Sequence, residues 1–506
     1  AADVRVPRRR EGDLALAVGR PVRLTAAQAR CLRLAPLPGA RYALAFLDAR
    51  QVRRAAEGFE GIPSGPSTYA VTVAEAGQTA PSAAHVPGGP SASRAAAPDH
   101  VVRSASSVSA GDPTRRDRPW NEGERFELRD PSLAAPLQAR VVRVYGGHLV
   151  FAVAEGEVAE GGNEAWVARA DSAFALLARH GEPVFRKSLS PTRPVTSAAS
   201  GQLLVVARRD AGAWLGSSAV VAAGGRRLSY AFVNTGYTFT AAGLLRTLAH
   251  EVAHAWQEQY AADLGSPGTG AAAWALEGTA DLLAWSVVGR ALGVGVTDNW
   301  EWAGALADPG RAAYALLPAG TRGDLTAGYA SAAGFGHDLV ARLVRAGAAE
   351  DDALTAVVRG ALEGWEGWDR FGARREGLAR RMRRALGAGW TPSDALLGWT
   401  LAQAADDLTG APELQNHAFA RVSTAGHAAG LGWLAPATLR TGGAALREDP
   451  ASAAALSGNA ARVATRYGSP NYVRIEDEGR GGAYTLDAAW NGAPLAEVEW
   501  MIVRYR

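Results

Sequence analysis

The sequence predicts a multidomain α+β protein, with a central domain of mixed sheet plus an α-helical lobe between N- and C-terminal β-sandwich-like domains. Three observations carry that expectation. Short runs with period-two alternation, separated by Pro and Gly turns, crowd both ends of the chain. Segments whose apolar residues recur at helical spacing occupy the middle. A stretch dominated by Ala, Ser, Pro and Gly follows the first β-rich segment. A chain of 506 residues has room for roughly two to four domains.

Residues 1–76 read as an N-terminal β domain, with strands expected at 14–18, 22–24, 42–48 and 69–73. Residues 77–119 read as a disordered linker, because almost nothing between Gln78 and Arg118 can bury enough apolar surface to offset ordering. His85 and His100 fall in it and carry no expected metal role. Residues 120–170 form a β-rich segment leading into the central domain, with strands at 126–128, 138–145 and 148–154. Gly146-Gly147 joins the last two as a hairpin signal, and His148 beside it reads as a surface residue.

Residues 171–410 form the central domain. Asp171-Ser172 reads as the cap of a helix running to His180 and stopped by Gly181. Strands at 203–207 and 228–233 precede the two helices that carry the chemistry. Helices are expected beyond them at 330–344, 351–361, 371–386 and 393–408, the last capped by Ser393. Residues 411–459 read as a loop-rich connection. Residues 460–506 read as a C-terminal β-sandwich-like domain with strands at 461–465, 472–475, 483–488 and 497–505, and a tight turn at 477–482.

Composition excludes several classes. Apolar residues make up 48% and charged residues 20%, and the formal charge is +3. A charge so close to neutral for this length gives no reason to expect a nucleic-acid partner. The densest basic run, Arg374, Arg375, Arg380, Arg381, Arg383 and Arg384, lacks aromatic interleaving. Leu378, Met382 and Leu386 give it an apolar stripe, which reads as core packing beneath a solvated arginine face. No apolar run approaches the roughly eighteen residues of a transmembrane helix. Cys31 is the only cysteine and reads as a small buried hydrophobe, so no disulfide framework exists. The start Ala1-Ala2-Asp3, the linker and the β-rich flanks suit a secreted or periplasmic bacterial protein whose signal peptide has been removed.

The chemistry concentrates in Leu248-Ala249-His250-Glu251-Val252-Ala253-His254-Ala255-Trp256. Histidines four apart stand on one helix face, so both imidazoles reach one ion. Glu251 then borders the open position of that ion and can take a proton from bound water. Alone, the pentapeptide also fits a helix with two hydrogen-bonded histidines and a surface glutamate. The next helical stretch adds Trp274-Ala275-Leu276-Glu277-Gly278-Thr279-Ala280-Asp281. Glu277 supplies a third, anionic ligand, and Asp281, one turn on, can accept the free ring N–H of a ligand histidine. Two carboxylates on an apolar helix are costly to bury without a compensating cation.

An H-E-x-x-H followed by W-x-x-E-G-x-A-D resembles the gluzincin metallopeptidases, the thermolysin-like peptidase MA clan, over roughly residues 171–386. The resemblance implies a zincin-like central domain and one Zn²⁺ held by His250, His254 and Glu277. It further implies Glu251 as general base, Asp281 as the carboxylate that orients a ligand histidine, and a peptide or protein as substrate. Twenty-two residues separate His254 from Glu277, a spacing the clan tolerates. Ala-Trp-Gln-Glu-Gln-Tyr after His254 lacks the glycine and third histidine of a metzincin. In similar proteins a downstream tyrosine or histidine meets the oxyanion, which makes Tyr329 the first candidate and His337 the second. The strand before the active-site helix is a sheet edge in gluzincins, a role that falls here on residues 230–232. Two other functions share these residues: a binding or adhesion protein of the cell surface with little turnover, and a zinc hydrolase of non-peptide amides.

Overall fold

Strands from opposite ends of the chain share sheets. The computed structural model describes residues 13–49, 68–77, 103–105, 119–128, 136–155, 163–189, 202–209, 216–223, 226–236, 240–263, 273–293, 325–364, 376–406, 438–440, 454–457, 459–466, 471–477, 481–490, 493–495 and 497–505. It divides into two units, the first comprising Ala1–Arg94, Val296–Gly347 and Glu363–Arg506. There Arg41–Asp48 lies between Asn471–Glu476 and Val498–Arg504, antiparallel to both. Val22–Arg23 and Thr438–Arg440 complete this five-stranded sheet. Thr68–Glu75 lies between Ala460–Arg466 and Gly482–Trp490 in a second sheet, which Leu32–Leu34, Ala454–Ser457 and Ala493–Pro494 extend.

One core joins the two sheets: Leu44, Phe46, Val473 and Ile502 meet Val71, Val73, Val463 and Leu486. The boundary drawn between residues 1–76 and 460–506 is redrawn accordingly, because the two segments build one sandwich. Neither supplies enough strands to cover an apolar face by itself. Alternation along Arg41–Asp48 turns Ala43, Ala45 and Leu47 to the outer face, against which Pro392–Asp406 packs. Burial on both faces is why this strand reads as a nearly continuous apolar run.

The helix Pro392–Asp406 is capped by Thr391, not Ser393: the Asp394 amide donates to Thr391 Oγ1 at 3.1 Å, and Pro392 fills the first helical position. Phe335 of Leu325–Arg345 meets Trp399 at a centroid distance of 5.8 Å. Leu378–Leu386 buries Leu378, Ala379 and Met382. Three of its arginines are engaged, Arg381 with Glu363, Arg383 with the Trp390 carbonyl and Arg384 with Glu376. Cys31 corrects another expectation: it is exposed at the end of the short helix Ala26–Arg30.

The second unit, Ala95–Gly295 with Ala348–Leu362, carries the metal motif. Its seven strands run in the order Arg103–Ala105, Gly216–Ala223, Arg226–Asn234, Leu203–Arg208, Leu149–Ala154, Leu137–Tyr145 and Arg125–Leu128. Arg103–Ala105 is the one described strand within the expected linker. Leu149–Ala154, Leu203–Arg208 and Arg226–Asn234 run parallel, with antiparallel strands outside them. Gly146 and Gly147 turn the hairpin at φ 57° and 76°, as a primed turn requires. His148 beside it is half-buried, with Nε2 3.0 Å from Glu182 Oε2.

Trp120, Phe126, Val141, Val150, Val206 and Phe232 pack on one face of the sheet. On the other, Phe151 stacks on Phe174 of Asn163–Leu176 at 4.3 Å. That helix starts before Asp171, which instead receives the Tyr145 hydroxyl and Arg143. It also passes Gly181 through a π turn, Leu177–Gly181, into Glu182–Leu189. Gly181 is there for packing, since a Cβ would meet Leu177 Cδ1 at 2.7 Å and Phe185 Cε2 at 3.1 Å. Arg226–Asn234 is hydrogen-bonded on both sides, so residues 230–232 are not a sheet edge. The strand that covers it, Gly216–Ala223, is built of small residues with little periodic signal and went unread in the sequence. Among the described residues no helix is long and apolar enough to cross a membrane.

Candidate metal centre

The motif helix Ala241–Asp263 begins at Thr240, whose Oγ1 accepts the Gly243 amide at 3.0 Å. It buries Leu244, Leu245, Leu248, Val252 and Ala255. One side packs on Gly216–Ala223 and Arg226–Asn234, and another on Ala273–Leu292. That second helix buries Leu282, Leu283, Val287 and Val288, apolar on more than one face, as a helix enclosed by neighbours should be. Trp256 packs against Phe185 with centroids 5.9 Å apart, which ties the motif helix to Glu182–Leu189.

Packing the two helices brings three donors together. His254 Nε2 lies 3.0 Å from His250 Nε2, and each lies 3.2 Å from Glu277 Oε2. All three residues are buried, and the group can hold a metal ion. Tetrahedral coordination with bonds of about 2.0–2.1 Å sets donors about 3.3 Å apart, close to the observed triangle.

The far side of each ring decides what the near side presents. His250 Nδ1 lies 2.7 Å from Asp281 Oδ1, which also receives Arg246 Nη2 at 2.6 Å. Burial raises the Asp281 pKa, but Arg246 first and then His250 pull it below its ordinary value, so it is a carboxylate and only accepts. His250 therefore carries its proton on Nδ1. His254 Nδ1 lies 2.8 Å from Gln257 Oε1. The Gln257 amide is oriented by its other end, where Nε2 donates to the Leu276 carbonyl at 2.9 Å and to Thr279 Oγ1 at 2.8 Å. Thr279 passes its own proton to the Ala275 carbonyl. His254 is thus also an Nδ1–H donor.

Both Nε2 lone pairs and a carboxylate oxygen consequently converge on one buried point. Three acceptors at these distances repel unless a cation lies among them. A proton can fill that place when no metal does. Burial lowers the His250 pKa, but Asp281, Glu277 and Glu251 more than reverse this and raise it to about 10. His254 is likewise raised against burial, by Glu277 first and then Glu251. Burial pushes Glu277 up, but the two imidazoles hold it well below the usual carboxylate range. Glu251 is buried and acts electrostatically on both rings.

The structure thus assembles His250, His254, Glu277 and Asp281 and sets Glu251 within electrostatic reach of both rings. Tyr329 and His337 both lie on Leu325–Arg345, a helix of the sandwich unit. His337 is half-buried next to the Asp338–Arg342 ion pair, and the side chain of Tyr329 falls outside the described residues. Sequence reasoning missed Arg246 and Gln257. Their signals were positional: four residues before His250 and three after His254, on the ligand face of the helix. The chain matches no protein-family model and no curated protein.

Proposed function

We propose that this chain is a zinc-dependent metallopeptidase of the gluzincin type, with Glu251 as general base. The observation that carries the reading is the donor triangle with both Nδ1 positions already committed. Two neutral imidazoles and one carboxylate form a catalytic zinc set that leaves one position open. When bound, the ion supplies Lewis acidity and a lowered pKa for water in that position.

The chain's own groups do the rest. Asp281 and Gln257 hold the Nδ1 protons of His250 and His254, which keeps both Nε2 atoms facing Glu277. Arg246 keeps Asp281 ionised. The Glu251 carboxylate takes the proton of the attacking water and delivers it to the amide nitrogen as the C–N bond breaks. Burial of these groups strengthens each charge interaction.

The test is cleavage of a broad peptide library by purified protein, with and without chelator, beside the Glu251→Gln variant. Zinc-dependent cleavage lost in Glu251→Gln supports the reading. Cleavage that survives chelation or the substitution overturns it. Zinc binding with no cleavage favours the adhesion alternative, and turnover confined to non-peptide amides favours the amide hydrolase.

A further inference from the structure

We infer that Gln257 is a positioning residue that makes the donor triangle assemble as one unit, by holding His254 and the Glu277 segment through a single buried amide. The inference rests on the zinc reading above. Gln257 is fully buried and spends each polar atom. Its Oε1 accepts the His254 Nδ1 proton, while its Nε2 spans to Leu276 and Thr279, the residues one before and two after Glu277. The side chain therefore fixes a ligand's tautomer on one helix and the height of the third ligand on the next.

The two histidines are held by chemically different partners. His250 leans on a carboxylate whose charge Arg246 balances, whereas His254 leans on a neutral amide. A second carboxylate at 257 would set another anion beside Glu277 and Glu251 and would lose the donors to Leu276 and Thr279. An apolar residue would leave the His254 Nδ1 proton, the Leu276 carbonyl and Thr279 Oγ1 short of this partner. With Nδ1 no longer held, His254 can turn protonated Nε2 toward Glu277 and cease to be a ligand. The glutamine amide supplies both an acceptor for the ring and donors for the neighbouring helix.

The experiment compares wild type, Gln257→Met and Gln257→Glu, each loaded with Zn²⁺ or Co²⁺. Two quantities are read: ion affinity by competition with a chromophoric chelator, and the visible spectrum of the Co²⁺ form. Gln257→Met removes both ends of the tether and is expected to weaken binding by about 10–100-fold, with an altered Co²⁺ spectrum. Gln257→Glu keeps the acceptor for His254 but loses the donors to Leu276 and Thr279, so it is expected to fall between wild type and Gln257→Met in affinity, with a spectrum still altered from wild type. A Gln257→Met protein with wild-type affinity and spectrum overturns the inference, as does a Gln257→Glu protein equal to wild type or no better than Gln257→Met. If Gln257→Met does not fold, Gln257→Glu decides alone: weakened binding with an altered spectrum supports the role, and wild-type affinity and spectrum contradict it. Wild type that binds neither ion overturns the zinc reading instead, so the two failures are distinct.

Discussion

Replacing Asp281 by Asn tests the electrostatics of the centre, because it removes a charge and almost no volume. The carboxylate is 0% exposed, receives Arg246 Nη2 at 2.6 Å and His250 Nδ1 at 2.7 Å, and its guanidinium partner is only 11% exposed. Removing one member of a buried pair costs about 3–5 kcal/mol. The residual exposure of Arg246 points to the lower end, so urea unfolding of the metal-free variant should show a loss of about 3 kcal/mol. Ion affinity responds separately. His250 exchanges an anionic acceptor for a neutral one, and hydrogen bonds to charged groups contribute about 1.5–3 kcal/mol. With about 1.4 kcal/mol per tenfold, chelator competition should show Zn²⁺ held about 10–100-fold more weakly. A variant within about threefold of wild type in affinity and about 0.5 kcal/mol in stability would refute the reasoning.

Three further outcomes are expected. The His250 pKa is raised in the folded metal-free protein to about 10, from an unfolded value of about 6.5. The stability it contributes is full below about pH 6.5 and lost as pH rises through about 10, so an ion binding near neutrality must displace its proton. Calorimetric binding enthalpies should therefore vary with the ionisation enthalpy of the buffer, and identical heats in all buffers would contradict this. Phe174→Ala removes the ring stacked on Phe151 at 4.3 Å and should destabilise by about 3–5 kcal/mol while ion stoichiometry is kept; an unchanged melting temperature would oppose the packing described. A fragment of residues 1–76 should show no cooperative unfolding alone, because its strands pair with residues 460–504. An independently folded fragment by NMR would restore the two-domain division.

What the sequence made legible was local. The i, i+4 histidines and the Glu277/Asp281 pair could be placed on helix faces because helical periodicity is short-ranged. Strands such as Arg41–Asp48 and Leu149–Ala154 were visible for the same reason. Their partners were not: Tyr42 pairs with Ile475 and Arg504, and a register spanning more than four hundred positions leaves no trace in a window of ten. Gly181 was misread because a glycine that ends a helix and one that admits Leu177 and Phe185 look the same in one dimension. Arg246 and Gln257 lay on the right helix, but their roles exist only once Asp281, Leu276 and Thr279 are packed beside them.

X-ray absorption at the zinc edge of the purified protein tests most directly whether the buried triangle is a zinc site. The expected result is one ion per chain, with two imidazole nitrogens and carboxylate or water oxygens at about 2.0–2.2 Å, and loss of one imidazole in His254→Ala. Protein that takes up no stoichiometric zinc, or whose zinc keeps both imidazoles after His254→Ala, would contradict it.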